Sequence, residues 1–127
     1  MTIREILDSA AALICETVSE SDSADYLERT PYILASFCSQ CKRVDADYRR
    51  AYGLEAIVYP GRATLNYSEC FPFVDELIPA ATYYLAAMLV LDENEQLSDK
   101  LMDLYTDEVA SLAASLPMLL ERIAEKY

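Results

Sequence analysis

The sequence predicts an all-α fold, a bundle of about four long helices with one short irregular insert between helices two and three. Three observations carry this. Among 127 residues there are 2 Gly and 5 Pro, too little turn chemistry for a many-stranded sheet. Apolar residues recur at three- and four-residue spacing over most of the chain. The run 77–91 is uncharged and apolar on every side, as a helix surrounded by other helices would be. A hydrophobic share of 54% with 25% charge fits a single globular domain, 1–127.

Helix one is expected over 2–19. Thr2 with Glu5 makes a capping box, and Ile3, Ile6, Leu7, Ala10, Leu13, Ile14 and Val18 follow at helical spacing. The connection 19–23, Ser-Glu-Ser-Asp-Ser, is rich in capping residues. Helix two is expected over 23–51. Its apolar stripe is Tyr26, Ile33, Leu34, Phe37, Cys38, Cys41, Val44 and Tyr48, and it stops before Gly53. Pro31 either kinks one continuous helix or opens a new one capped by Thr30, and one helix with a kink or a short break is the favoured reading.

Residues 54–73 hold the only strand-like and turn-like character. Ala56-Ile57-Val58-Tyr59, Pro60-Gly61 and Ala63-Thr64-Leu65-Asn66-Tyr67 predict a short β-hairpin. A two-stranded hairpin is marginal alone in water, so it needs the helices or a neighbouring molecule to lie on. Helix three is expected over 74–92, entered through Phe71-Pro72-Phe73 and ended by Asp92-Glu93-Asn94-Glu95-Gln96. Helix four is expected over 97–126. Leu97, Leu101, Leu104, Tyr105, Leu112, Leu116, Leu119, Leu120 and Ile123 form its stripe, with Asp99, Asp103, Asp107 and Glu121 on the opposite face. Pro117 is expected to kink or split it.

The chemistry of enzymes is hard to find. The chain has no histidine, which removes Ser-His-Asp and Cys-His arrangements, the HExxH zinc site and the Glu-x-x-His pairs of di-iron bundles. No phosphate-binding GxxxxGKS loop is present. Cys38-x-x-Cys41 invites a redox or zinc reading, but the pair falls within helix two, where both thiols join the apolar stripe. Core thiols are the favoured reading, and Cys15 and Cys70 would have to converge on the pair for a metal to bind. The expectation is therefore a non-enzyme with no cofactor and no metal site.

Charge is unevenly placed. The total is 10 basic against 22 acidic residues, net -12, which disfavours binding to DNA phosphates and favours basic partners. Between Arg29 and Arg62 lie 6 basic residues (Arg29, Lys42, Arg43, Arg49, Arg50, Arg62) and 3 acidic ones (Asp45, Asp47, Glu55), net +3. The remaining 4 basic and 19 acidic residues give -15. Two readings stay open. Basic helix two balances acidic helix four within one molecule, or the polarity serves head-to-tail contact between copies. Candidate interface residues are Arg43, Arg49, Arg50 and Arg62, the tyrosines Tyr59 and Tyr67, and Asp99, Asp103 and Asp107. The three aspartates share a helix face at i, i+4, i+8, and the plainer reading is a solvated surface.

No signal peptide is expected, because residues 1–18 are amphipathic and carry Arg4, Glu5, Asp8 and Glu16. The run 77–91 is short for a bilayer span and contains Pro79. The chain is expected to be cytosolic at synthesis.

The second half resembles small head–tail connector proteins of tailed phages and prophages. The residues that carry the resemblance are Phe71-Pro72-Phe73-Val74-Asp75-Glu76-Leu77, Ala81-x-x-Tyr84-Leu85-Ala86-Ala87-x-Leu89, Asp92-Glu93-Asn94, Leu97-Ser98-Asp99-Lys100 and Tyr105, with Asp25-Tyr26-Leu27 opening helix two. They cover about half the chain and are packing motifs. The resemblance implies a helical neck adaptor that docks as a ring-type homo-oligomer beneath the portal, between capsid and tail. Its partners would be its own copies and phage portal or neck proteins, with no sequence-specific nucleic acid and no membrane. The insert and the chain ends would make those contacts, and the protein would end up in the virion. The alternative from the residues alone is an acidic helical regulatory module that occupies a basic protein surface.

Overall fold

Every backbone amide in the first turn of a helix needs an acceptor from outside that helix, and here the insert supplies two of them. The computed structural model describes residues 1–16, 24–59 and 65–125, with side chains through Leu116. Helix α1, Ile3–Leu13, opens with the capping box of Thr2 and Glu5. The Ile3 amide donates to the Glu69 carbonyl at 3.1 Å and the Arg4 amide to the Tyr67 carbonyl at 3.3 Å. The Glu5 amide donates to Thr2 Oγ1 at 3.1 Å, and the Phe71 amide donates to the Met1 carbonyl at 2.8 Å. The expected hairpin is not seen among the described residues, and the backbone partners of this segment lie elsewhere. Residues 65–71 direct backbone groups at the start of α1. The result is one isolated bridge, Thr2 with Cys70, and no strand among the described residues. The Pro60-Gly61 turn lies outside them.

Helix α1 is shorter than the expected 2–19. It stops at Leu13 because Cys15 takes a left-handed conformation, φ 59°. The Glu16 amide then reaches the Ala11 carbonyl at 2.9 Å and the Cys15 amide the Ala12 carbonyl at 3.2 Å, the two bonds of a Schellman stop. Glycine usually holds that position.

Helix α2, Ala24–Ala51, runs unbroken through Pro31. Proline has no N–H for the carbonyl four residues back, which is that of Leu27. The Tyr67 hydroxyl, from the insert, donates to that carbonyl instead. Buried Thr30 bonds the Tyr26 carbonyl at 2.6 Å. Gly53, at φ +67°, follows the last turn, as the sequence leads one to expect.

A 3₁₀ turn, Asp75–Leu77, leads into helix α3, Ile78–Val90, with Pro79 in its first turn. Ala80, Ala81, Ala86 and Ala87 are all buried, and their small side chains let α3 pack against α4, α1 and α2. Arg29 of α2 donates to the Met88 carbonyl at 3.2 Å, a cation on the negative end of α3. Helix α4, Glu95–Glu125, starts two residues earlier than expected because the Asn94 side chain accepts from the Leu97 amide at 3.1 Å. It continues through Pro117 without a split. One proline removes a single backbone bond, to Ala113, from a helix of 31 residues.

The core is centred on Phe37. Its ring lies 5.9 Å from Phe71, 5.8 Å from Phe73, 6.0 Å from Tyr84 and 6.0 Å from Tyr105. One side chain of α2 thus holds the insert, α3 and α4 together. No helix among the described residues is long and apolar enough to cross a membrane.

Candidate functional site

Asp45 is the one buried charged side chain among the described residues, an aspartate with 0% exposure. A buried carboxylate is costly unless each oxygen finds donors. The Val74 amide donates to Oδ1 at 2.8 Å. Arg49 Nε at 2.8 Å and the Tyr59 hydroxyl at 2.7 Å both donate to Oδ2. Arg49 extends the network by donating to the Glu55 carbonyl at 3.1 Å and the Pro72 carbonyl at 2.8 Å. The insert is therefore pinned to the end of α2 by one ion pair. Burial and the bond to Asp45 push the Tyr59 hydroxyl up to about 12.

A second polar cluster joins three helices. The Tyr105 hydroxyl donates to Gln40 Oε1 at 2.9 Å, and Gln40 Nε2 donates to the Tyr84 hydroxyl at 3.1 Å. Tyr84 also shares a hydrogen bond with Ser36 at 3.1 Å. Tyr105 approaches Cys41 Sγ at 3.7 Å. Burial raises the Tyr105 hydroxyl, with Cys41 and Tyr84 adding to it.

Cys38 and Cys41 are buried, whereas Cys15 and Cys70 are exposed. Burial, the neighbouring Cys41 and Asp45 push the Cys38 thiol up to about 12. Burial raises Cys41 as well, against the opposing hydrogen bond from Tyr105. The thiolate is the nucleophile and the metal ligand, so at neutral pH these two thiols act as core hydrophobes. Among the described residues no group of three or more His, Cys, Asp or Glu side chains converges.

The nine candidate interface residues divide. Arg49, Tyr59 and Tyr67 have their polar ends engaged inside the chain, as just described. The sequence could not distinguish them from surface residues because their partners lie 14 to 40 positions away in most cases. Arg43 is exposed, and Arg50 is exposed and paired with Asp47 at 3.0 Å. Asp99, Asp103 and Asp107 are all exposed on α4. Arg62 lies outside the described residues. Asp45, which sequence reasoning counted only as a charge, is the residue that the structure adds.

Two surface clefts flank Arg49. One is lined by Ala46, Arg50, Leu54, Ala56, Ile57 and Tyr59, and the other by Tyr48, Tyr52, Leu54, Phe73, Asp75 and Glu76. Beside them Tyr52, Leu54 and Val58 stand exposed, Val58 at 97%. No known protein family, curated protein or solved structure matches the chain.

Proposed function

We propose that this chain is a non-catalytic structural protein of a tailed phage or prophage, a head–tail connector adaptor that works through contacts with its own copies and with portal or neck proteins. The observation that carries the reading is how the residues behind the resemblance are used. Phe71, Phe73, Val74, Leu77, Ala81, Tyr84, Leu85, Ala86, Ala87 and Leu89 are buried together in one core. Asn94 caps α4, and buried Ser98 donates to the Ala87 carbonyl at 2.9 Å. The shared pattern is thus a pattern of packing, suited to a rigid body. In this reading the four helices act as one bundle, and the 54–73 insert and the chain ends make the inter-subunit or portal contacts.

A scaffold reading also fits the polar chemistry. Among the described residues every buried polar side-chain atom has a hydrogen-bond partner, which suits a rigid scaffold. Mass spectrometry of phage particles purified after prophage induction tests the proposal. The chain should be present at a copy number matching the portal ring. Particles that contain portal and tail proteins but lack this chain would overturn it.

One observation favours a second reading. Asp99, Asp103 and Asp107 stand exposed in a row with no ion pair among the described residues, which suits an acidic module occupying a basic protein surface. That reading requires a stable complex with a basic partner that dissociates as salt rises.

A further inference from the structure

The four ion pairs among the described residues each join two residues of one helix: Arg4–Asp8, Arg29–Asp25, Arg49–Asp45 and Arg50–Asp47. None joins α2 to α4, although the two helices touch where Tyr105 meets Gln40. Balance of basic helix two against acidic helix four within one molecule is therefore not achieved by contact among these residues. The reason is geometric. Tyr105 turns towards α2, and a helix advances roughly 100° per residue, so Asp103 and Asp107 sit about 160° to 200° away from it. Both carboxylates face away from α2 and cannot reach Arg43 or Arg50 of their own chain.

Each face has an apolar companion. Leu104 lies between the two aspartates in sequence and is 45% exposed. On α2, Arg43, Ala46 and Arg50 share one face at i, i+3 and i+7, with exposed Lys42 beside them. That face continues into the cleft lined by Ala46, Arg50, Leu54, Ala56 and Ile57. An acidic face with a protruding leucine and a basic face with an apolar cleft are complementary in charge and in shape class.

We propose that these are the two halves of one head-to-tail interface between copies of this chain. Leu104 of one copy enters the Ala46–Leu54–Ile57 cleft of the next, and Asp103 and Asp107 meet Lys42, Arg43 and Arg50. Because the two halves are different surfaces, every copy has one of each to offer, and repetition gives a closed ring or an open filament. The inference deepens the assembly reading and rests on it for the identity of the partner, but needs no phage protein. Each copy is net -12. Ionic strength near physiological screens that overall repulsion beyond about 8 Å while leaving contact pairs in place.

Sedimentation of the full chain over a wide concentration range at physiological salt is the test, with circular dichroism to verify that every variant is folded. The parent should associate with rising concentration. The double variants Arg43→Glu/Arg50→Glu and Asp103→Lys/Asp107→Lys should each lose that association by at least about tenfold in Kd, since like charges then meet at every junction. A one-to-one mixture of the two should regain it, because each junction is again complementary. Leu104→Ser should weaken association with no change in charge. A parent that stays monomeric at the highest concentration overturns the proposal. So does a reversed variant that associates like the parent, or a mixture that fails to recover. Either failure leaves the adaptor reading to the particle analysis, and absence from particles leaves this self-contact standing.

Discussion

Replacing Tyr67 by Phe removes one hydroxyl, and the consequence depends on a proline 36 positions away. Pro31 leaves the Leu27 carbonyl without its helical partner, and the Tyr67 hydroxyl donates to it. A hydrogen bond of this kind contributes about 0.5–1.5 kcal/mol net, and a carbonyl left buried without a donor costs about 1–3 kcal/mol. Leu27 and Tyr67 are both half-buried, so water can partly replace the hydroxyl. Tyr67→Phe should therefore destabilise the parent by about 1 kcal/mol.

Pro31→Ala changes that expectation. The new amide at position 31 reaches the Leu27 carbonyl through the ordinary helical bond, and the helix gains intrinsic propensity, up to about 3 kcal/mol. In the Pro31→Ala background, Tyr67→Phe removes a donor that is no longer needed, and its cost should fall to a few tenths of a kcal/mol. The coupling between the two sites is then about 0.5–1 kcal/mol, above the scatter of about 0.3–0.5 kcal/mol seen for independent sites. Urea unfolding of the four proteins, followed by far-ultraviolet circular dichroism, measures it. Any cavity left by the smaller alanine side chain is common to both arms of the cycle and cancels. An equal cost for Tyr67→Phe in the two backgrounds would refute the idea that Tyr67 compensates for Pro31.

Other outcomes follow from the same geometry. Cys15→Gly should raise stability by about 1 kcal/mol in the same urea assay, because glycine adopts the left-handed conformation of position 15 without strain. Asp45→Ala leaves the Val74 amide, the Tyr59 hydroxyl and a mostly buried Arg49 without their acceptor; a loss of about 3–5 kcal/mol is expected, and a loss below about 1 kcal/mol would contradict the assigned network. In the native protein two thiols, Cys15 and Cys70, should react promptly with a thiol reagent and two, Cys38 and Cys41, only after unfolding. Tyr59 loses its proton near 10.0 when unfolded and at about 12 when folded. The folded state thus holds the proton more tightly, so this stabilising effect is complete below pH 10.0 and is lost as pH rises towards 12. Thermal melts across that window should show stability falling with pH, and Tyr59→Phe should flatten the slope.

What was legible in the sequence follows from which interactions are local. The Thr2 capping box and the all-round apolar character of α3 depend on neighbours within about one helical turn, and periodicity reports them directly; the passage of α2 through Pro31 also rests on the distant Tyr67 hydroxyl. The end of α1 was hidden because its stop residue is Cys15, where the usual signal is Gly or Asn. The hairpin was a fair inference from Ala56–Tyr59 and Ala63–Tyr67. Backbone groups of Tyr67, Glu69 and Phe71 are engaged at the start of α1, a competition between distant segments that no short window contains.

The buried carboxylate marks the boundary between these two cases. Asp45 falls four residues after Cys41 and eight after Phe37, on the apolar stripe of α2 itself, where a charge is expensive. That interruption was visible in the sequence and was the one available sign of a buried partner. Arg49, one turn further on, completes an i, i+4 pair that looks like an ordinary surface ion pair, worth little when exposed. Position on the stripe should have separated the two, since a pair centred on the core face must be desolvated and must then bond something beyond itself. Here that something is the insert, held through Glu55, Tyr59, Pro72 and Val74. The consequence reaches the surface. With Arg49 turned inward, the basic face of α2 reduces to Lys42, Arg43 and Arg50, and the pinned insert supplies Leu54 and Ile57 as the walls of the cleft beside them. A buried polar residue thus shapes an exposed one, and loosening Asp45 should disturb self-association as well as stability.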